Sequence, residues 1–94
     1  MALVKHVREK IWEIEGFRVR FIDRETGRTA HADTHVAPYG ERKASKNSWS
    51  VAEWKKKKFS HKYPDYEVEV LCKYQERAPG RMVLGTVRDT YLEE

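Results

Sequence analysis

Three side chains with metal-binding chemistry stand at alternate positions of one short segment. His31, Asp33 and His35 are each two residues apart, so an extended strand would place all three on one face. The two histidines would then be about 13 Å apart along the strand. They cannot bind one zinc ion together with Asp33, because zinc–ligand bonds are only about 2 Å long. The pattern therefore predicts a polar, solvent-facing strand, and we expect neither a metal nor a cofactor.

The other residues with catalytic potential have no supporting pattern. Cys72 is the single cysteine and continues the apolar alternation of Val68 and Val70, so it should pack as a small apolar residue. Glu67 and Glu69 would share one strand face, as acidic residues often do on solvent-facing strands. The five glycines stand singly and form no phosphate-binding loop. We therefore expect a protein that is not an enzyme and has no small-molecule substrate.

Positive charge is concentrated in residues 42–62. This segment holds eight Lys and Arg and one Glu, a net charge of +7, whereas the whole chain carries +4. Aromatic rings are interleaved with these cations. Such a composition suits nucleic acid, because the cations neutralise phosphates and the rings stack on bases. The predicted contact residues are Arg42, Lys43, Lys46, Trp49, Trp54, Lys55, Lys57, Lys58 and Lys62.

A helix over residues 51–62 should position most of these side chains. Ser50 followed by Glu53 is the pattern of a capping box, which marks the start of a helix at Val51. Pro64 ends the helix, because the residue before a proline is excluded from helical geometry. Arg42–Asn47 would lie in the loop that precedes it.

Trp54 has two possible environments on this helix. Successive residues of a regular helix are about 100° apart, which puts Trp54 outside the apolar stripe of Ala52, Phe59 and Tyr63. An exposed ring among cations would be a platform for stacking or for cation–π contact. In the alternative, the 37–48 loop folds over Trp54 and the lysines are simply solvated.

Four strands are predicted around this helix from apolar alternation. They are expected at residues 11–22, 28–36, 66–74 and 81–89. The alternation changes phase at Gly16 and at Gly85, which is typical of a β-bulge. The order β-β-α-β-β with hairpin connections indicates an α+β fold with a bent, mostly antiparallel sheet and one helix on its face. A small curled β-barrel with one helix is the alternative.

Length and composition define the remaining expectations. Ninety-four residues suit a single α+β domain, 1–94, in which residues 1–10 are a flexible or loosely docked arm. The lone cysteine and the absence of an apolar run of about 20 residues favour a cytoplasmic protein without membrane contact. The predicted core consists of Phe17, Phe21, Phe59, Val68 and Val70.

Two classes of function remain open. The first is a small non-enzymatic module that binds DNA or RNA by charge, through the basic helix and the preceding loop. No zinc finger, helix-turn-helix or RNP motif is present, so recognition of base sequence is not expected. The second is a protein-interaction or inhibitor module, which would use the edge strand 28–36 or the basic helix against an acidic protein surface.

Overall fold

The computed structural model of the protein describes residues 2–92, which form three helices and two small antiparallel sheets. In chain order the elements are β1 (Ala2–Leu3), α1 (Val4–Glu15), β2 (Arg18–Asp23), β3 (His35–Val36), α2 (Val51–Trp54) with a π-helical continuation (Lys55–Phe59), β4 (Tyr66–Leu71) and α3 (Leu84–Thr90). The fold is therefore α+β, as predicted. The predicted order β-β-α-β-β and the single helix are wrong, and two-stranded sheets do not form the alternative barrel.

The largest departure from the sequence prediction is α1. Its residues overlap the first half of the expected strand over 11–22, and only β2 is extended there. The buried residues of α1 are spaced three or four apart, as on one face of a helix. They are Val4, Val7, Ile11 and Glu15. Residues 4–10 thus belong to a helix that packs on the core, and the predicted arm is wrong for them.

Both glycines that the alternation assigns to β-bulges mark helices instead. Gly16 ends α1 in the left-handed conformation, with φ 79°, and its N–H donates to the carbonyl of Trp12 at 3.0 Å. Gly85 lies inside α3, which replaces the strand expected over 81–89. A Cβ atom at Gly85 would be 3.1 Å from the Cβ of Asn47, so glycine permits the close approach of these two segments.

β2 and β4 pair along their whole length at the centre of the molecule. Val19 lies opposite Val70, and Phe21 lies opposite Val68. Phe59 packs edge-on against Phe21 from the neighbouring helix, with ring centroids 5.0 Å apart. The predicted core is confirmed, because all of its members are buried: Phe17, Phe21, Phe59, Val68 and Val70.

The expected edge strand over 28–36 is mostly a loop. Only its last two residues, β3, pair with β1. Thr29 forms an isolated bridge with Ile22, and the N–H of Ala30 donates to the carbonyl of Phe21 at 2.8 Å. This segment therefore covers part of one edge of β2 and is not itself a strand that could pair with a partner.

The basic helix begins as predicted and then changes its geometry. Ser50 Oγ accepts a hydrogen bond from the Glu53 N–H at 3.1 Å, and the Glu53 carboxylate accepts one from the Ser50 N–H at 3.4 Å, which completes the capping box. After α2 the chain widens into the π-helical segment, where the N–H of Ser60 donates to the carbonyl of Lys55, five residues earlier, at 2.8 Å. The predicted helix over 51–62 is thus partly regular and partly π-helical.

The π-helical segment explains why the expected position of Trp54 is wrong. Five residues of a regular helix would separate Trp54 from Phe59 by roughly 140° around the axis. A π turn closes over those five residues and returns both side chains to the same face. Their ring centroids are 5.8 Å apart, and both rings are buried. None of the helices in residues 2–92 is long and apolar enough to cross a membrane.

Candidate nucleic-acid interface

The nine predicted contact residues separate into an outer and an inner group. The outer group has side chains at the surface. Its exposed members are Arg42, Lys43, Lys46 and Lys57, and its half-buried members are Trp49 and Lys55. The inner group is Trp54, Lys58 and Lys62, whose polar atoms bond to other parts of the protein. Trp54 is fully buried, and most of the surface of the two lysines is covered by other parts of the protein.

Trp54 belongs to the core and is not a stacking platform. Its side chain is fully buried, and its ring meets the ring of Phe17 edge-on with centroids 5.0 Å apart. Its indole N–H lies 3.0 Å from Tyr39 Oη and 3.3 Å from Glu15 Oε2. Since Tyr39 belongs to the 37–48 loop, the structure corresponds to the alternative in which this loop folds over Trp54.

Glu15 is the centre of the inner group. Its carboxylate is only 1% exposed and accepts hydrogen bonds from the hydroxyl of Tyr39 at 2.6 Å and from the backbone N–H of Ser45 at 2.7 Å. Two cations approach it as well, Lys58 Nζ at 3.4 Å and Arg88 Nη2 at 3.3 Å. These donors compensate for the loss of water around a buried charge. They also tie α1 to the 37–48 loop, to the π-helical segment and to α3.

This environment shifts the pKa values of Tyr39 and Glu41 in opposite directions. Burial, followed by the hydrogen bond to Glu15, raises the pKa of Tyr39 far above its ordinary value. The hydrogen bond from Lys62 lowers the pKa of Glu41. Tyr39 therefore stays protonated as a donor, and Glu41 is held as an anion beside Lys62.

Lys58 and Lys62 are occupied by partners inside the protein. Lys58 Nζ donates to the carbonyl of Lys43 at 2.9 Å and lies 3.7 Å from the carboxylate of Glu41. Lys62 Nζ donates to the carbonyl of Tyr39 and to the Glu41 carboxylate. Their side chains are only 13% and 19% exposed. We therefore remove both lysines from the predicted contact set.

Contacts made by neighbouring residues hold the 42–46 stretch and the π-helical segment together, and with them the exposed cations of both. The bond from Lys58 to the carbonyl of Lys43 holds the 42–46 stretch beside the π-helical segment. On that segment, Lys57 Nζ lies 4.6 Å above the ring of Trp49. Lys56, which was not among the predicted contact residues, is exposed next to Lys57. Lys55 lies apart from them, in a groove that it shares with Glu67, Glu69 and residues 77–80. We call the following residues the basic surface: Arg42, Lys43, Lys46, Trp49, Lys56 and Lys57.

Glu15, Tyr39 and Ser45 are structurally central residues that the sequence analysis missed. The alternation places Glu15 on the polar face of a strand, although it also extends the helical spacing of Val7 and Ile11. A carboxylate at the next position of an apolar helical stripe is a signal for a buried, paired charge. Tyr39 and Ser45 had no local signal of this kind, because their partner is distant in sequence.

Residues 31–35, which carry the side chains with metal-binding chemistry, make a hydrogen bond and an ion pair within the protein. His31 Nδ1 accepts a hydrogen bond from the backbone N–H of Asp33 at 3.1 Å, and Lys5 pairs with the Asp33 carboxylate at 3.1 Å. The bond from Lys5 lowers the pKa of Asp33. Within residues 2–92, no three His, Cys, Asp or Glu side chains are grouped so that they could hold a metal ion.

Comparison of the chain with protein families, with curated proteins and with solved structures finds no match.

Proposed function

We propose that this protein binds DNA or RNA through the basic surface, by charge and without reading base sequence. The observation that carries the proposal is that two segments place exposed cations side by side. Arg42, Lys43 and Lys46 come from the loop, while Lys56 and Lys57 come from the π-helical segment. Each cation that contacts a phosphate releases condensed counterions, which is the main source of non-specific affinity.

Preorganisation of the loop supports the same proposal. Ser45 lies within the stretch that carries the three loop cations, and its backbone N–H and hydroxyl both donate to Glu15. The carbonyl of Lys43 is held by Lys58. A loop that is already anchored loses less conformational entropy when a ligand binds, so more of the electrostatic attraction contributes to affinity.

Trp49 has a positioning role in this proposal. Its ring is half-buried, and the ammonium groups of Lys57 and Lys58 lie 4.6 Å and 5.8 Å from the ring centroid. A ring that already carries a cation on its face holds that cation in place by cation–π attraction. Trp49 and the Glu53 carboxylate, which is 3.7 Å from Lys57 Nζ, thus hold Lys57 at the surface, and base stacking contributes little to binding.

The test is a binding titration with labelled single- and double-stranded DNA and RNA at several salt concentrations. In a variant with Lys43→Gln and Lys57→Gln, the protein neutralises fewer phosphates. Its log–log salt slope should fall by roughly 0.9 for each duplex phosphate that is no longer neutralised, and by roughly 0.7 for each phosphate of a single strand. The matched control is Lys5→Gln with Arg28→Gln, which removes the same charge from exposed sites elsewhere. Its slope should equal that of the unmodified protein.

Three results would count against the proposal. The first is no binding at low salt, where electrostatic association is strongest. The second is an equal decrease of slope in the control variant. The third is equal competition by polyglutamate at the same charge concentration, which would assign the basic surface to an acidic protein partner instead.

A further inference from the structure

A cleft of about 440 Å³ opens on the face of the central sheet that the basic helix does not cover. Phe21 of β2 packs against Phe59 of the basic helix, whereas Arg18 and Arg20 alternate with the inward-facing residues and line this cleft. α1 contributes Arg8 and Trp12 to its walls, and Tyr91, which follows α3, contributes another. The cleft and the basic surface are therefore on different sides of the sheet.

Cations line the cleft, and no Asp or Glu of residues 2–92 does. The cations are Arg8, Arg18, Arg20 and Lys73. Tyr91 lines the cleft as well and packs edge-on against Trp12, with ring centroids 5.2 Å apart. The arginines share one concave site with aromatic walls, where their field is less screened than on an open surface and attracts an anion. The pairing of Arg18 with Glu9 and of Arg20 with Glu69 offsets part of that charge.

The three arginines are fixed in place and keep donors for a ligand. Arg8 Nε donates to the carbonyl of Val19 at 3.1 Å. One terminal nitrogen of Arg20 donates to Glu69 at 3.1 Å, and one of Arg18 donates to Glu9 at 3.0 Å. Since a guanidinium has five N–H donors, both terminal groups of Arg8 and one of each of the others have no partner within residues 2–92.

Trp12 and Gln75 complete this end of the cleft. The guanidinium of Arg18 lies 4.3 Å above the ring of Trp12, which holds it by cation–π attraction. Gln75 lines the cleft with φ 65°, a left-handed conformation that is unfavourable for a residue with a Cβ atom. Gln75 lies in the tight turn after β4, where its N–H donates to the carbonyl of Cys72 at 2.9 Å.

We propose that this cleft binds a small molecule that carries a phosphate group. The planar fork of arginine matches the oxygens of phosphate, and the cleft volume falls within the range of about 300–1,000 Å³ that is usual for small-molecule sites. A nucleic-acid strand that lies on the basic surface would not contact these arginines, because the sheet separates the two. The cleft is therefore a second site with its own ligand.

The test is a titration followed by NMR, with inorganic phosphate as one probe and adenosine monophosphate as the other. The signals to follow are the indole N–H of Trp12 and the Nε–H of Arg8 and Arg20. We expect saturable shifts with both probes if phosphate alone is recognised, and tighter binding of the monophosphate if the aromatic wall contributes. Arg20→Gln should weaken binding about tenfold or more, since it removes a charge-assisted donor.

The matched control is Arg24→Gln, because Arg24 also pairs with a glutamate of β4, Glu67, but lies outside the cleft. Its affinity for phosphate should be unchanged, as should that of the Lys43→Gln, Lys57→Gln variant. Arg8→Lys provides a second cleft variant that keeps the charge and loses the fork, so it should also weaken binding.

The proposal fails if neither probe gives saturable shifts at millimolar concentration, or if Arg24→Gln weakens binding as much as Arg20→Gln. It also fails if a 5′-phosphorylated oligonucleotide shifts the same signals at much lower concentration than the monophosphate. That result would assign the cleft to the end of a nucleic-acid strand. The first two outcomes do not depend on whether the basic surface binds nucleic acid.

Discussion

Replacing Glu15 by Gln removes one charge from the centre of the protein and changes little in shape. The amide keeps one oxygen and turns the other position into a donor. The less damaging orientation places its nitrogen at Oε1, where it faces the N–H of Ser45 and a terminal nitrogen of Arg88. The amide oxygen then still accepts from Tyr39 and Trp54, which bond to Oε2.

The expected cost follows from the groups that lose their acceptor. A buried N–H without a partner costs about 1–3 kcal/mol, which applies to Ser45. Loss of one member of a buried ion pair costs about 3–5 kcal/mol. The second term is reduced here because Lys58 retains the carbonyl of Lys43, and Arg88 retains Asn47 Oδ1 at 2.6 Å. We therefore expect Glu15→Gln to lower the free energy of unfolding by about 3–4 kcal/mol.

Urea denaturation followed by circular dichroism measures this change, with the m value checked for constancy. The control is Glu13→Gln on the same helix, whose carboxylate is exposed and lies 4.0 Å from Lys10. That change should cost less than about 0.5 kcal/mol. Hydrogen exchange of the Ser45 amide provides a local readout, because its protection depends on Glu15.

The expected loss is a large share of the free energy of unfolding of a domain of this size, which is about 5–15 kcal/mol. A Glu15→Gln protein whose free energy of unfolding lies within about 1 kcal/mol of that of the unmodified chain would therefore refute the reasoning. Equal costs at Glu13 and Glu15 would refute it as well. Either result would mean that a neutral acceptor can replace the buried carboxylate and that Lys58 and Arg88 form hydrogen bonds with water instead.

Two further predictions concern the stability of the fold. Burial raises the pKa of Tyr63, whose hydroxyl has no hydrogen-bond partner in the described chain, and the pKa of Tyr39 is raised as well. Because the unfolded chain releases these protons above about pH 10 while the folded chain keeps them, stability should fall there by up to about 1.4 kcal/mol per pH unit for each tyrosine. Tyr63→Phe should remove one such contribution, and an unchanged alkaline slope in pH-dependent urea melts would contradict this. At the rim of the cleft, the Gln75→Gly protein should be more stable than the Gln75→Ala protein by about 1 kcal/mol, because only glycine is free of strain in the left-handed conformation. Thermal melts in which the alanine variant is equally stable or more stable would show that the conformation is not strained.

The parts of the fold that follow from local pattern were predictable. β4 alternates apolar and polar residues from Tyr66 to Val70, and its partner β2 does so after Gly16, so the core of the sheet could be assigned from the sequence. The capping box at Ser50 also has a local cause. In these places one periodicity fits the residues and no other does.

Both misassigned helices are short segments in which two periodicities fit. Trp12 to Glu15 alternates like a strand, while the spacing of Val7, Ile11 and Glu15 is helical only if a glutamate is accepted on the buried face. α3 has the same ambiguity, since Leu84 and Val87 are one helical turn apart. Contacts with the rest of the chain decide between the two periodicities.

The inner group of the site could not be predicted for a related reason. Lys58 looks like its neighbours in a run of four lysines, and it differs only because Glu15, 43 residues away in the chain, is buried beneath it. A charge run therefore indicates where a basic surface is, and tertiary pairing determines which of its members are exposed.

The π-helical segment has a consequence for the length of that lysine run. A π turn contains one more residue per turn than an α-helix needs, so the run Lys55–Lys58 carries one residue in excess. Deleting Lys56 would leave Trp54 and Phe59 four positions apart, which is the spacing of neighbours on a regular helix, and would keep Lys58 next to Phe59. The core and the bond to Glu15 would thus tolerate the shorter helix. The widened backbone turn thus accommodates one more lysine at the surface than a regular helix of the same core contacts would hold.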